Sequence, residues 1–252
     1  KAVIKKGSQG KLKIISKYGI GLDKIDLESA KIFGIEVRNC KGVNHHAVAE
    51  HVFGLILSFY KNIHSEYELT KKGIWKRLIG YEIFGKKIGI IGLGQIGKEV
   101  AKRSKSFGLE IYGYDLFPDE DFNKKYNINI SKSIESIFQT CDMVSLHMNL
   151  NDKNYKAISH NIFNNLNGNK PLLVNTARSD LVDMEALIKA LGNNLLSGYL
   201  TDVLDIEPMP SEHPLISFPN VIITPHIGSR TYQSVERQAI MSINNLTSFL
   251  EK

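Results

Sequence analysis

The stretch that decides the fold is Lys87–Gly97, KIGIIGLGQIG, in which an apolar strand runs into a G-x-G-x-x-G turn. A helical pattern follows at once, and a second apolar strand, Glu110–Tyr114, ends at an acidic residue. In such a turn Gly92 permits the tight bend, Gly94 lets the backbone approach a pyrophosphate, and Gly97 lets the helix pack on the strand. The helix N-terminus offers free N–H groups to phosphates. The sequence therefore predicts a dinucleotide site; the alternative is an ordinary turn whose glycines serve packing alone.

Asp115, the acidic residue that ends the second strand, predicts which dinucleotide is bound. Its carboxylate can accept hydrogen bonds from the adenosine ribose hydroxyls of NAD, whereas NADP would bring a phosphate of charge about −1.5 to −2 beside it. Two unit like charges ~4 Å apart at an effective dielectric of ~20 repel by ~4 kcal/mol. The residues that follow, 116–118, include no arginine. We expect NAD to be preferred, and equal catalytic efficiency with both cofactors would contradict this.

Length and composition limit the class of protein. The 252 residues, 42% of them hydrophobic, suffice for one large or two modest domains. The net charge of +6 comes from scattered lysines without a basic block among aromatics, so we expect no nucleic-acid partner. No signal peptide is visible and no apolar run reaches ~18 residues, so we expect no membrane partner. Two cysteines favour reduced thiols and a cytoplasmic location. We expect no metal site.

Strands and helices alternate along the chain, and this pattern predicts a doubly wound parallel α/β sheet. After the first two strands, the expected strands are residues 143–147, 172–175, 198–202 and 221–224. The expected helices are residues 133–140, 156–166, 183–191 (with Asp183 as N-cap and Gly192 at C′) and 231–250. Residues 12–16, 23–30 and 35–38 predict a further strand, helix and strand, too small a set for a complete domain.

A long helical segment, residues 44–72, is apolar on more than one face around residues 47–57. A helix with this pattern is typically buried on several sides. We expect it to form an interdomain or dimer contact; the alternative is a helix buried within one domain.

Each expected strand of the large sheet stops at a candidate functional group. These are the Gly92 loop, Asp115, His147, Asn175 to Arg178, Asp202 and His226. In open α/β sheets, ligands bind outside the carboxyl ends of the strands. One polar strand end is unremarkable, but six in a row predict one shared cleft.

Three residues suit a redox site. Arg178 can hold a carboxylate with two parallel hydrogen bonds. His226 can donate or accept a proton near neutral pH. Glu207, which precedes Pro208, stabilises an imidazolium if it reaches His226. Taken singly, they are equally well read as a surface cation, a loop histidine and a solvated acid.

The chain resembles the D-isomer-specific 2-hydroxyacid dehydrogenases, the family that includes D-3-phosphoglycerate dehydrogenase. The resemblance rests on motifs in the family's order that cover nearly the whole chain. They are residues 18–26 (YGIGLDKID), 47–50 (AVAE), the Gly92–Gly97 loop, 175–178 (NTAR), 202–208 (DVLDIEP) and 224–228 (TPHIG).

The resemblance implies two domains around a cleft. An NAD-binding Rossmann domain would comprise residues 43–229, and a flavodoxin-like substrate domain would combine residues 1–42 with 230–252. Family members are usually longer, so we expect part of the N-terminal substrate domain to be missing. Members usually dimerise through the helix that matches residues 44–72, so the resemblance implies a homodimer.

The resemblance also assigns residues to roles. Arg178, Glu207 and His226 would be catalytic, and Arg178 would bind the substrate carboxylate together with the Tyr18–Gly19 turn. Candidate cofactor-binding residues comprise the turn, the ribose acid and the nicotinamide lining. They are Gly92, Gly94, Gln95, Ile96, Gly97, Asp115, His147, Thr176, Ala177, Arg178, Asp202, His226, Gly228 and Ser229. The implied reaction transfers a hydride between NAD and a D-2-hydroxy acid or 2-oxo acid.

Two departures from the family pattern stand near the site. Ser179 occupies a position where many relatives have Gly, and Asn149 replaces a frequent Pro. The alternatives to a general D-2-hydroxyacid dehydrogenase are D-3-phosphoglycerate dehydrogenase itself and an NAD-responsive binding module like the corepressors that share this fold. Formate dehydrogenases usually pair the histidine with Gln, so Glu207 argues against that activity.

Overall fold

Helices and strands alternate in the computed structural model, which describes residues 2–251. In chain order they are α1 (Ala2–Ser8), β1 (Ile14–Lys17), α2 (Leu27–Ile32), β2 (Glu36–Asn39), α3 (His45–Tyr60), α4 (Ile63–Lys71), β3 (Lys87–Ile91), α5 (Gln95–Ser106), β4 (Glu110–Tyr114), α6 (Glu120–Tyr126), β5 (Ile128–Ile130), α7 (Ile134–Thr140), β6 (Met143–Leu146), α8 (His160–Phe163), β7 (Leu172–Asn175), α9 (Met184–Gly192), β8 (Gly198–Thr201), β9 (Val221–Ile223) and α10 (Tyr232–Leu250). Short 3₁₀ turns occupy Ser179–Leu181 and Pro214–Ser217.

Seven parallel strands form the large sheet, in the order β5-β4-β3-β6-β7-β8-β9. Within this sheet the chain passes first through β3, continues outward to β5, and then returns to β6 on the other side of β3. This reversal is the switch point at which doubly wound sheets bind ligands. The predicted fold class, a Rossmann-type α/β sheet, is confirmed.

The central strands are buried because helices cover both faces of the sheet. Every residue of β6, β7 and β8 is buried, as expected for parallel strands covered on both sides. One apolar cluster includes residues of α7, α8 and α9, and the other includes residues of α3 and α5. The strands are thereby held rigidly, and their carboxyl ends carry the loops of the candidate site.

The expected helix over residues 44–72 is wrong as a single element. It is divided into α3 and α4 because Asn62 between them adopts a left-handed conformation, with φ of 53°. In α3, Ala49, Val52 and Ile56 are fully buried in the core beneath the sheet. The middle of α3 is therefore buried within one domain, which was the alternative to an interdomain or dimer contact.

The expected helix over residues 156–166 is also wrong over its first half. Ile158 forms a parallel bridge with Val182 instead, and the backbone N–H of Lys156 donates to the carbonyl of Asp180 at 2.7 Å. Only His160–Phe163 is helical. Because Lys156 and Ile158 form backbone hydrogen bonds with the loop around residues 180–182, they do not form a helical turn.

The ends of α9 test two capping predictions. The Asp183 carboxylate accepts hydrogen bonds from the backbone N–H groups of Ala186 and Glu185, which confirms the N-cap. Gly192 is the last helical residue and not C′, and the left-handed residue beyond the helix is Asn194, with φ of 54°. Asparagine tolerates this conformation because its short polar side chain bonds locally.

The edge strand β5 and the preceding helix α6 were not predicted. β5 has three residues, of which Asn129 and Ile130 are exposed, so it lacks the apolar run that identified the other strands.

Among residues 2–251, no helix has the length and apolar composition that a membrane crossing requires.

The described residues divide into two compact units. One unit comprises the residues up to Ala47 together with those from Ser229 onward, and the other comprises Val48–Gly228 with the large sheet. In the first, β1 and β2 form a two-stranded parallel sheet, and α10 packs on it with Ser16 Oγ donating to the Ser242 carbonyl at 2.8 Å. The assignment of this unit as a flavodoxin-like substrate domain, with boundaries at 42/43 and 229/230, stays a prediction.

Candidate active site

The candidate residues of the larger unit follow the carboxyl ends of parallel strands, so they share one edge of the sheet. The glycine turn follows β3, Asp115 follows β4 and His147 follows β6. Arg178 lies three residues after β7, Asp202 directly follows β8, and His226 lies three residues after β9. The strand ends are aligned, with Asn175 beside Thr201 and Thr201 beside Ile223 in the sheet register.

At each of the three glycine positions of the turn, the surroundings explain the absence of a side chain differently. Gly92 has φ of 97°, and a Cβ there would lie 2.7 Å from the carbonyl carbon of His147. A Cβ on Gly97 would lie 2.0 Å from the carbonyl oxygen of Gly92, so the helix can begin beneath the turn only with glycine. Gly94 is exposed and a Cβ there would meet no atom within 4 Å. The space above Gly94 is open for a ligand.

Asp115 holds the glycine turn. One carboxylate oxygen accepts from the backbone N–H of Leu93 at 2.7 Å, and the other accepts from that of Phe117 at 2.8 Å. A carboxylate oxygen has more than one acceptor direction, so these bonds leave capacity for ribose hydroxyls. Asp115 thus lies beside the turn that would hold the pyrophosphate.

These residues fit NAD. The N-terminus of α5 has no side-chain cap, so its first N–H groups are available to a pyrophosphate above Gly94. The Thr176 hydroxyl is buried and has no hydrogen-bond partner in the described part of the chain. A buried hydroxyl without a partner is costly, and a polar group of a bound cofactor would satisfy it.

His147 is held beside the turn as a neutral imidazole. Burial lowers the pKa of His147 to about 3, and its Nε2 lies 2.8 Å from the hydroxyl of Ser145. At neutral pH it carries no charge. It can contribute hydrogen bonds and contact area to a cofactor but no ionic attraction.

The loop that carries Arg178 is folded by Asn175, which is fully buried. The Asn175 side-chain amide donates to the carbonyl of Arg178 at 2.9 Å, and its oxygen accepts from the N–H of Ala177 at 3.0 Å. Arg178 Nη1 donates to the carbonyl of Ala177 at 2.6 Å. Ser179 begins a 3₁₀ turn, so serine is accommodated there without a conformation that favours glycine.

Glu207 and His226 form a pair. Glu207 Oε2 lies 2.9 Å from His226 Nδ1, and Glu207 Oε1 accepts from the backbone N–H of Leu204 at 2.9 Å. Both side chains are about half exposed, so the pair is open to a substrate. Because Nδ1 faces the carboxylate, Nε2 is the ring atom available for proton transfer.

Asp202 is buried and fixes the backbone after His226. Its carboxylate accepts from the N–H groups of Ile227 at 2.8 Å and Gly228 at 2.7 Å, and from the Thr224 hydroxyl at 2.6 Å. Burial alone raises the pKa of Asp202, but hydrogen bonds from His51, Thr224, Ile227 and Gly228 outweigh it and hold the pKa below its ordinary value. Asp202 is therefore ionised at neutral pH.

Sequence reasoning missed two histidines that support the site. His51 Nε2 lies 2.8 Å from the Thr224 hydroxyl, and His213 Nε2 lies 2.9 Å from Asp205 on the loop that carries Glu207. His51 directly follows the AVAE motif, which was a usable signal. Nothing in the sequence around His213 indicates its partner.

Among the described residues 2–251, no contact assigns a role to the remaining candidates. Gln95 and Ile96 begin α5. Tyr18 and Gly19 form the turn after β1 in the smaller unit, where Gly19 has φ of 111°, and Ser229 is the first residue of that unit's second segment. Their binding roles stay predictions.

Comparison with known proteins identifies the family. Residues 53–228 match the family model described as D-isomer specific 2-hydroxyacid dehydrogenase, NAD binding domain. The chain belongs to this family. As a member, it is an NAD-dependent oxidoreductase that acts on the CH–OH group of 2-hydroxy acids, and the predicted family, enzyme class and cofactor are confirmed.

Several relatives share most of the chain. The glyoxylate reductase of Korarchaeum cryptofilum is 34% identical over 95% of this chain and 73% of its own length. The D-3-phosphoglycerate dehydrogenase of Methanocaldococcus jannaschii is 36% identical over 89% of this chain and 43% of its own length. Among solved structures, the TT0316 protein of Thermus thermophilus superposes with a TM-score of 0.86 at 34% identity, covering 95% of this chain and 76% of that one.

Proposed function

We propose that this protein interconverts a small 2-oxo acid and the D-2-hydroxy acid, with Arg178 binding the carboxylate and the Glu207–His226 pair moving the proton. The observation that carries the proposal is the 2.9 Å contact between Glu207 and His226, at the same sheet edge as the glycine turn. The names of the relatives support a substrate class that includes glyoxylate and 3-phosphoglycerate, whose 2-oxo counterpart is 3-phosphohydroxypyruvate.

The cofactor would be held by the Gly92–Gly97 turn, by Asp115 at the ribose and by Thr176. NADH supplies the hydride for reduction when it is bound. Asp115 favours NAD over NADP, because a ribose phosphate would lie against its carboxylate.

The residues of the chain then perform three tasks. The Arg178 guanidinium binds and orients the substrate carboxylate through parallel hydrogen bonds. His226 in its imidazolium form gives the Nε2 proton to the carbonyl oxygen, which becomes the hydroxyl, and the neutral ring takes it back in the oxidation direction. Glu207 accepts the Nδ1 hydrogen bond, which keeps Nε2 directed at the substrate and stabilises the imidazolium.

The test is NADH oxidation by the protein with glyoxylate, hydroxypyruvate, pyruvate and 3-phosphohydroxypyruvate in parallel. We expect His226→Ala to lower kcat by about 10²–10⁴ with the best substrate, the usual contribution of general acid–base catalysis. Arg178→Lys should mainly raise KM, since lysine cannot form the bidentate contact.

The matched control is His160→Ala on α8, which should leave the rate unchanged. A His226→Ala variant as active as the wild type would overturn the proposed role. The substrate with the highest kcat/KM would separate a glyoxylate reductase from a D-3-phosphoglycerate dehydrogenase.

We also propose a homodimer, through α4 and the segment that follows it. None of the residues of α4 is buried, and Ile63 and Tyr67 on it are more than half exposed. Residues 74–84, named here the apolar arm, expose Trp75, Ile79 and Phe84, with Ile79 at 92%. Exposed large apolar side chains grouped in this way are typical of association sites, which supports a dimer through α4, the second part of the predicted 44–72 segment, and through the apolar arm. The cytoplasmic location stays a prediction.

A further inference from the structure

A directed chain of hydrogen bonds runs from α3 to the turn of His226. The Thr224 hydroxyl has one hydrogen, and its 2.6 Å contact with Asp202 Oδ1 shows where that hydrogen is donated. At the 2.8 Å contact with His51 Nε2 the hydroxyl must therefore accept. His51 thus carries its proton on Nε2, which also lies 3.4 Å from Asp202 Oδ1.

The same carboxylate holds the backbone on the far side of His226. Ile227 and Gly228 donate their N–H groups to the two oxygens of Asp202. His226 lies between these anchored residues and Thr224, and its own N–H donates to the Thr224 carbonyl at 3.0 Å.

His226 adopts an unfavourable backbone conformation in this turn. Its φ is 55°, in the left-handed region that a residue with a side chain seldom adopts. Such a conformation persists only where the surroundings enforce it. The enforcing contacts are the ones that end on Asp202, a carboxylate that is only 3% exposed.

His51 completes the set of donors to this buried network. It is one-fifth exposed in its side chain, and its ring also packs against Gly228, where a Cβ would lie 3.5 Å from the imidazole. Without His51, the Thr224 hydroxyl loses the donor at 2.8 Å, and Asp202 Oδ1 loses the imidazole N–H that lies 3.4 Å away. The turn would then lose its link to α3, and Thr224 and Asp202 would be held less firmly.

We propose that His51 is a positioning residue for His226: through Thr224 and Asp202 it fixes the turn that directs the His226 ring. This inference rests on the proposed function, in which His226 transfers the substrate proton. His51 itself touches none of the reacting atoms.

The experiment compares His51→Leu, which removes the donor, with His51→Gln, whose side-chain N–H₂ reaches about as far as Nε2. The readouts on the full chain are the ¹⁵N spectrum of the His226 ring and the separate values of kcat and KM. We expect His51→Leu to broaden or split the His226 signals and to lower kcat on the order of tenfold with little change in KM, as for a displacement of the ring smaller than the ~1 Å misplacement that can cost ~10²-fold. His51→Gln should restore both.

His160→Leu is the control, with unchanged spectrum and kinetics expected. If His51→Leu does not fold, Thr224→Val removes the next link with an isosteric side chain and should give the same two effects. An unaltered His226 spectrum in folded His51→Leu, or a His51→Gln variant as impaired as His51→Leu, would overturn the proposal. If His226→Ala retains activity, the proposed function fails, while the spectrum still decides whether His51 fixes the turn.

Discussion

At the scale of single residues, the ionised and buried Asp202 links stability to pH. Its pKa is lowered in the folded protein, so its contribution to the free energy of unfolding is fully present above the carboxyl group's ordinary pKa. The contribution is lost as the pH falls through the folded-state value. We expect Asp202→Asn to lose about 1–3 kcal/mol at pH 7, because a buried donor is left without an acceptor.

Urea unfolding at pH 7 and at pH 3 measures this effect. The difference between wild type and Asp202→Asn should be largest at pH 7 and should shrink below pH ~4, because there the carboxyl of the unfolded chain binds a proton while the folded protein, with its lowered pKa, still resists protonation. Asp152→Asn, in an exposed loop, is the control and should change neither value. A difference that is the same at both pH values would show that the charge of Asp202 does not stabilise the fold.

At the scale of elements, substitutions in the turn between β3 and α5 distinguish effects on folding from effects on cofactor binding. Gly94→Ala should leave the melting temperature unchanged, since the new methyl group meets no atom and φ is −69°. It should weaken NADH binding at least about tenfold, or about 1.4 kcal/mol, because the methyl group occupies the space of the pyrophosphate.

Gly97→Ala is the matched partner of this variant. Its Cβ would lie 2.0 Å from the Gly92 carbonyl oxygen, so we expect a loss of stability of about 1–3 kcal/mol from overpacking. Thermal unfolding and calorimetric titration with NADH distinguish the two effects. Unchanged NADH affinity in Gly94→Ala would place the pyrophosphate elsewhere.

Elements with a strong local signal were predictable and others were not. The apolar runs of β6, β7 and β8 and the Asp183 cap follow directly from residue type and spacing. The bridge of Ile158 depends on a contact with Val182 in another loop, so no local pattern shows it. The break at Asn62 comes from one left-handed residue, a conformation that asparagine tolerates but does not require. In the site, the pairing of Glu207 with His226 was put forward as a hypothesis from the sequence. The contact of His51 with Thr224 was not predicted, because it joins residues 173 positions apart.

At the scale of the whole molecule, a charge placed on the apolar arm tests the proposed homodimer. We expect the wild type to sediment as a dimer and Ile79→Glu to sediment as a monomer, because a charge would be buried at the contact without a partner. Analytical ultracentrifugation at micromolar concentrations measures this. Tyr155→Glu, at another exposed aromatic residue, should remain dimeric. A monomeric wild type, or a dimeric Ile79→Glu, would contradict the proposed interface.

The two segments of the smaller unit are joined late in the protein's synthesis. Ser16 donates to the carbonyl of Ser242, 226 residues further on, whereas residues 48–228 form a continuous unit. All seven strands of the large sheet therefore lie in one continuous stretch of the chain that precedes α10. β1 and β2 leave the ribosome before the large sheet but obtain their covering helix after it, and contacts of such long sequence separation form slowly. For this unit, the two strands are therefore synthesised long before the helix that packs on them, so the unit can be completed only after residues 48–228 have been made.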